Sequence, residues 1–496
     1  MSLKIKTAKN IGYIAIIQLL SIIFTTITLL ILARILNNTD FGIIAIGLVV
    51  LNALIQISDL GMISAIVHRQ DRSDKALATG FLLRLILGIT AYLIIALTVP
   101  YWAKVFGSTE IINVVRIMSL IIIISNFGFP SQTKLNLDLN FKNISLAQGC
   151  QTLSYAGIAL ILTFVGFGYW SLVFGHVISW LVWVIIINAL APWKFKFLFD
   201  KKLAKELISY GKHILGSVVV IFAITNIDNI IIAAIFSIAL LGIYDIAYKW
   251  GTIAATQITL VVNNVMFPTY SKIKKNVQLL KSAYLKTLHY VTLLSFPMAI
   301  GLIVIAPEFI EYVLTEKWMP ALTPLIILCL FGLMRSISAN SGSIFKAVGR
   351  PDILFKISSL SLFLKLIFIF IMIYYGFEII GVAFAVTSTS IFITQLNVYY
   401  CCKFTRTNLY EVLNPLRVPA IASIIMAVAI LIIKQGLFQI IDGVFHISGI
   451  LSVILLIIIG MGIYAVFIFI LSPETFKELI SIIRNIFKKE KEVTDA

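Results

Sequence analysis

The sequence predicts an all-α polytopic membrane protein of about 14 transmembrane helices, in two six-helix lobes related by a pseudo-twofold along the membrane normal, plus two C-terminal helices. Three observations predict it. Fourteen apolar runs reach the roughly 20 residues a helix needs to cross a bilayer. When those runs alternate across the membrane, 30 of the 39 Lys and Arg residues fall on one side and only 4 on the other. A short segment also recurs at an offset of 200 residues.

The runs begin near Ile11, Phe41, Leu77, Ile111, Ala147, Gly168, Tyr210, Leu240, Lys286, Ala321, Ile353, Phe377, Leu416 and Ile447. Placing Lys4, Lys6 and Lys9 inside puts the even-numbered gaps and the C-terminal tail inside as well. The opposite gaps hold only Arg34, Lys104, Lys317 and Lys434. That asymmetry predicts a multi-pass protein of the cell (inner) membrane with both termini cytoplasmic. The run from Ile11 to Leu32 is longer than a signal-peptide core and lacks a small-x-small cleavage site, so it reads as the first span.

Composition agrees, with 60% hydrophobic residues and a mean hydropathy of +1.03, more than one soluble core could bury. The net charge of +17 comes from the inside gaps, where it sets topology and meets anionic headgroups; nucleic acid is not the expected partner. Cys150, Cys329, Cys401 and Cys402 fall in spans or at cytoplasmic ends, and no CxxC or His/Cys cluster calls for a metal or cofactor.

The outer gaps are short, the longest running from Pro307 to Pro320 and from Lys434 to His446, so no folded domain fits there. Two inner segments are amphipathic: Leu198, Leu203 and Leu207 among Lys201, Lys202 and Lys205, and Ile273, Val277, Leu280 and Tyr284 among Lys274, Lys275 and Lys281. Such segments are expected along the headgroup layer, as is the tail carrying Phe476, Leu479, Ile480 and Ile483. In the repeat, Ile31-Leu32-Ala33 before Phe41-Gly42-Ile43 returns as Ile231-Ile232-Ala233 before Leu241-Gly242-Ile243. Six spans lie between the copies, so both have one orientation, as in parallel-repeat transporters. The expected organisation is a lobe over 1–190, a basic linker over 191–209, a second lobe over 210–402, two added helices over 403–471 and a basic tail over 472–496.

Charges inside spans are costly and are retained where they face a wet cavity or a partner. Arg84, Arg116, Lys249, Arg335 and Lys365 qualify, with Asp59, Asp228 and Asp245. Their balance of +2 favours an anionic passenger, and an Arg fork suits phosphate oxygens. Arg84, Lys249, Arg335 and Lys365 are therefore the candidate substrate-binding residues; Arg116 lies near a span end and can snorkel. Asp228, with Asn229 or Asp245, is the candidate ion-coupling site, although helix-to-helix hydrogen bonding explains the same residues. Asp245 and Lys249 are also spaced to neutralise one another. Asp59, before Leu60-Gly61, reads as a structural break.

Several segments in order then resemble a known family: Asp40-Phe41-Gly42; Asp59-Leu60-Gly61 running to His68-Arg69-Gln70; Gly166 to Val173; Tyr210-Gly211 leading to Asn226-Ile227-Asp228-Asn229; Leu241-Gly242-Ile243-Tyr244; Phe267-Pro268; and Ala347-Val348-Gly349-Arg350-Pro351. They span about residues 1–355. The chain resembles the polysaccharide and O-antigen repeat-unit flippases of the multidrug/oligosaccharidyl-lipid/polysaccharide exporter superfamily, nearest its colanic-acid and teichuronic-acid branch. The resemblance implies a basic central cavity that moves a polyprenyl-pyrophosphate-linked oligosaccharide from the cytoplasmic to the outer leaflet, for O-antigen, capsule or exopolysaccharide. It also implies membrane lipids as surroundings, Na⁺ or H⁺ as a coupling ion in an antiporter cycle, and a polysaccharide polymerase and glycosyltransferases as candidate partners. A transporter without covalent chemistry is the expected class. The alternatives are a cation-coupled multidrug exporter, whose passengers call for excess acid in the cavity, and a membrane glycosyltransferase or polymerase, which calls for a larger outer loop.

Overall fold

The computed structural model describes the backbone of residues 3–69, 71, 73–445, 449–474 and 477. The tail positions Phe476, Leu479, Ile480 and Ile483 lie outside the described residues. The helices are α1 (Leu3–Ile35), α2 (Asn38–Asp59), α3 (Met62–Arg69), α4 (Asp74–Val105), α5 (Glu110–Asn126), α6 (Phe129–Leu137), α7 (Phe141–Phe164), α8 (Trp170–Leu190) and α9 (Lys201–Ile235). They continue with α10 (Ile238–Ile273), α11 (Val277–Glu308), α12 (Leu322–Ile337), α13 (Ser341–Ala347), α14 (Pro351–Tyr374), α15 (Ile379–Thr405), α16 (Leu409–Phe445) and α17 (Gly449–Leu471). Each predicted run lies on one of them or on a broken pair: α2 with α3, α5 with α6, and α12 with α13. Among the described residues, 9 segments are long and apolar enough to cross a membrane, and the bent α5–α6 pair makes up to 10. Leu20–Ile35 and Val219–Ile235 are shorter apolar stretches.

The chain forms two compact units, Met1–Ile246 with Ile369–Val382 and Ala247–Phe368 with Ala383–Ala496. In the first, the sequence repeat has a structural counterpart. The Asn37 N–H donates to the Asp40 carboxylate at 2.9 Å where α2 starts, and the Leu240 N–H donates to the Ser237 hydroxyl at 3.1 Å where α10 starts. These two starts meet reciprocally. A Cβ on Gly42 would lie 1.9 Å from the Ile238 carbonyl oxygen, and one on Gly242 would lie 1.9 Å from that of Asn38. Positions 200 apart thus exchange the same contact, the signature of an isologous interface, and only glycine permits it.

The α2–α3 break follows from Leu60 (φ 42°) and Gly61 (φ 64°), whose left-handed backbone ends the helix after Asp59. Beyond it, Met62 and Ile66 bury against Phe81, Phe129, Leu203 and Leu207. The linker helix, expected along the headgroup layer, packs on protein through Leu203 and Leu207, because neighbouring helices offer these leucines an apolar surface. Asp200 fixes its start, capping the N–H groups of Lys202 and Leu203 at 2.8 and 3.1 Å and pairing with Lys75 at 2.9 Å. Arg69 with Glu206 and Lys196 with Asp74 add ion pairs along its edge. The α5–α6 pair bends by 48° at Gly128, before Pro130. Asn188 serves this bend, donating to the Phe127 carbonyl at 3.1 Å and accepting from Ser131 at 2.6 Å.

In the second unit, Tyr270, Leu280, Tyr284, Ile344, Phe345 and Cys401 form a closed cluster. Leu280 and Tyr284, expected at the headgroups, are likewise fully buried in protein. The added helices α16 and α17 place Met426, Ile430, Val453 and Leu456 against Ile305 of α11. Lys434 locks this contact, with its ammonium 2.6 Å from Glu308 and donating to the Val304 carbonyl at 3.0 Å.

Candidate substrate and ion sites

Arg84 projects from α4 and is 6% exposed. Its Nη1 donates to Asp59 at 2.7 Å and its Nε to the Asn126 side-chain oxygen at 3.1 Å, while the Asn126 amide donates back to the Arg84 carbonyl at 3.0 Å. The guanidinium also lies 4.8 Å from the Phe129 ring centroid. Asp59 is thus both a break, as the sequence predicts, and the counter-ion of Arg84. The guanidinium is buried while the Asp59 side chain is partly exposed, so removing Asp59 would strand a buried cation. Arg116 donates through Nε and Nη2 to the Ala96 carbonyl at 3.2 and 3.1 Å.

Lys249, Arg335 and Lys365 lie on α10, α12 and α14, all in the second unit. Lys365 is buried, and Lys249 and Arg335 are half-buried. Helices α10 and α12 approach most closely at two glycines: a Cβ on Gly251 would lie 3.0 Å from Leu328 backbone, and one on Gly332 would lie 2.6 Å from the Gly251 carbonyl oxygen. Lys249 precedes that crossing by two residues and Arg335 follows it by three, so both basic positions are within one turn of it. Thr394 of α15 donates to the Met334 carbonyl at 3.1 Å, fixing the backbone beside Arg335.

The eight intramembrane charges divide unevenly between the units. Arg84, Arg116, Asp59, Asp228 and Asp245 belong to the first, and Lys249, Arg335 and Lys365 to the second. The boundary between the units falls within α10, so Asp245 and Lys249 are one turn apart on that helix.

Asp228, on α9, is 2% exposed and accepts from the Tyr244 hydroxyl of α10 at 3.0 Å. Asp245 follows Tyr244 and lies within electrostatic range of Tyr155, whose ring packs on His176 with centroids 4.4 Å apart. Asn229 instead lines a cavity of about 410 Å³ whose other walls are apolar, among them Ile46, Trp102, Phe222 and Ala233. The structure thus joins Asp228 to Tyr244 and gives Asn229 different surroundings. Sequence reasoning missed Tyr244, Tyr155 and His176; the usable signal was Tyr244 directly before an intramembrane Asp. Among the described residues, no three His, Cys, Asp or Glu side chains converge as metal ligands.

Comparison with known proteins agrees with this architecture. The solved structure of a lipid II flippase, MurJ, in an inward closed conformation matches with a TM-score of 0.75 over 94% of this chain and 99% of that chain, at 16% identity. An inward-facing multidrug resistance MATE family transporter of the MOP superfamily matches with a TM-score of 0.60 over 79% of this chain and 96% of that chain, at 14% identity. By sequence, the lipopolysaccharide biosynthesis protein WzxC of Escherichia coli (strain K12) is 25% identical over 73% of this chain and 74% of its own length. The teichuronic acid biosynthesis protein TuaB of Bacillus subtilis (strain 168) is 28% identical over 60% of this chain and 62% of its own. Residues 31–323 match the model of the polysaccharide biosynthesis protein family, and the chain belongs to that family.

Proposed function

We propose that this protein is a flippase that carries a polyprenyl-pyrophosphate-linked oligosaccharide repeat unit from the cytoplasmic to the outer leaflet by alternating access. It would serve biosynthesis of a cell-surface polysaccharide such as O-antigen, capsule or exopolysaccharide. The observation that carries this reading is the set of three intramembrane cations, Lys249, Arg335 and Lys365, in the second unit of a chain of this family. Arg335, Lys249 and Lys365 are the residues we assign to the pyrophosphate; in Arg84, Asp59 and Asn126 hold the guanidinium. Support for this cargo comes from similar proteins, among them a lipid II flippase and a succinoglycan biosynthesis transport protein of Rhizobium meliloti (strain 1021).

Asp228 is the residue we assign to the coupling cation. Tyr244 donates to one of its oxygens, and a proton bound to the carboxylate needs no set of further oxygen ligands, so we assign H⁺. Asp245, next to Tyr244 in the chain, is the helper we assign in preference to Asn229, which faces apolar walls.

The test is flipping of a fluorescent lipid-linked oligosaccharide in vesicles holding the purified chain. Arg335→Ala should reduce the rate at least tenfold with normal protein incorporation, and Arg335→Lys should restore only part of it because the bidentate fork is lost. Normal flipping by the triple Lys249→Ala, Arg335→Ala, Lys365→Ala variant would remove the assignment.

A further inference from the structure

Within the second unit, α14 and α15 enclose a cavity of about 340 Å³ at the ends that the charge pattern places on the cytoplasmic side. Lys356, Ile357 and Leu360 share one face of α14, and Leu396, Tyr400 and Lys403 share one face of α15. Arg350, just before α14, completes the rim. Both faces therefore grade from basic at the helix end to aliphatic further in. Leu360 lies about 15 Å beyond Arg350 at the rise of a helix, close to the depth from a lipid phosphate to its upper acyl chain.

The walls are preformed. Ile353 and Ile357 belong to the buried cluster beneath, and Tyr400 packs edge-on against Phe345 at 6.4 Å. The Arg350 fork is also held, with Nε and Nη2 donating to the Asp352 carboxylate at 2.9 and 3.0 Å. A guanidinium has five N–H donors, so this pairing orients it and leaves others for an anion. Asp352 cancels one of the three cationic charges, which leaves a net of about +2 at the rim. A soluble phosphate compound would have no use for the aliphatic depth, and a neutral lipid none for the cations. An anionic amphiphile uses both.

We propose that this pocket binds an anionic phospholipid of the cytoplasmic leaflet, its phosphate held by Lys356, Lys403 and Arg350 and one acyl chain lying along Leu360 and Leu396. The site lies in one unit and is independent of the cargo that the transporter moves.

Native mass spectrometry of the purified full-length protein, delipidated and titrated with phosphatidylglycerol, phosphatidylcholine or a polyprenyl phosphate, tests this. Phosphatidylglycerol should occupy one tight site in preference to the other two. The Lys356→Ala, Lys403→Ala variant should weaken that site roughly 30-fold, given the attraction each surface lysine adds. Leu360→Trp, which fills the aliphatic arm and keeps the charge, should also weaken it. Lys201→Ala with Lys205→Ala removes equal charge elsewhere and should leave the tight site unchanged. Equal binding of phosphatidylcholine, preference for the polyprenyl phosphate, or the same loss in the Lys201, Lys205 variant would each overturn the proposal.

Discussion

The seam between the starts of α2 and α10 gives a prediction whose size can be worked from distances. Gly42→Ala places a methyl carbon 1.9 Å from the Ile238 carbonyl oxygen, and Gly242→Ala places one 1.9 Å from that of Asn38. The closest comfortable carbon-to-oxygen approach is about 3.3 Å, so either substitution must move the helix starts apart by roughly 1.4 Å. Neither obstacle is a side chain that can rotate away; both are backbone, and the strain falls in the range of about 1–3 kcal/mol usual for overpacking. Because one separation relieves both clashes, the double variant should cost little more than the worse single, which is a large negative coupling in a double-mutant cycle. Unfolding of the three variants in detergent, measured against wild type, gives that coupling. Within a transport cycle the same strain would shift the balance away from the conformation that closes this seam by about 5- to 150-fold. An additive double variant, or a Gly42→Ala protein as stable as wild type, would refute the reciprocal packing.

Further outcomes follow from the charge pattern and the buried carboxylates. Cysteine replacements at Asn38, Glu311 and Asp442 should react with an impermeant reagent from outside, while labelling at Lys201 in intact cells would overturn the orientation. The Lys75 ammonium and the two capping N–H groups lower the Asp200 carboxyl to about 2. Its contribution to docking the linker helix is thus fully present above an unfolded pKa near 4 and lost as pH falls toward 2; limited proteolysis of the linker should be flat from pH 8 to 5 and rise below pH 4, and Asp200→Asn should remove the dependence. Asp228→Asn should impair flipping and abolish its response to a proton gradient, whereas gradient-dependent flipping at the normal rate would reduce Asp228 to a packing role.

The spans were legible in the sequence because bilayer thickness acts on runs of about 20 residues, which no tertiary detail erases. The 200-residue repeat was legible for a different reason: Gly42 and Gly242 are required by one contact, so the symmetry is written in residue type. The destination of the linker was not legible. Leu203 and Leu207 form the same apolar stripe whether they meet lipid or Met62 and Ile66, and only the packed neighbours decide. Arg84 shows the same limit, since its partners come from the end of α2 and the end of α5, and the pairing depends on where both helices break. Tyr244 reaches Asp228 across the turn at Phe236, which periodicity alone does not place.

The intramembrane balance of +2 read from the sequence conceals a division that matters more for mechanism. In the first unit Arg84 pairs with Asp59, Arg116 donates to the Ala96 carbonyl and Asp228 accepts from Tyr244. The second unit holds Lys249, Arg335 and Lys365, and all three intramembrane aspartates belong to the first. On the assignments proposed above, a proton loaded on Asp228 would change the charge of one unit, while an anionic cargo would bind cations of the other. Coupling in such an arrangement needs no direct contact between ion and cargo. It needs only that the two ligands differ in their affinity for the same pair of conformations.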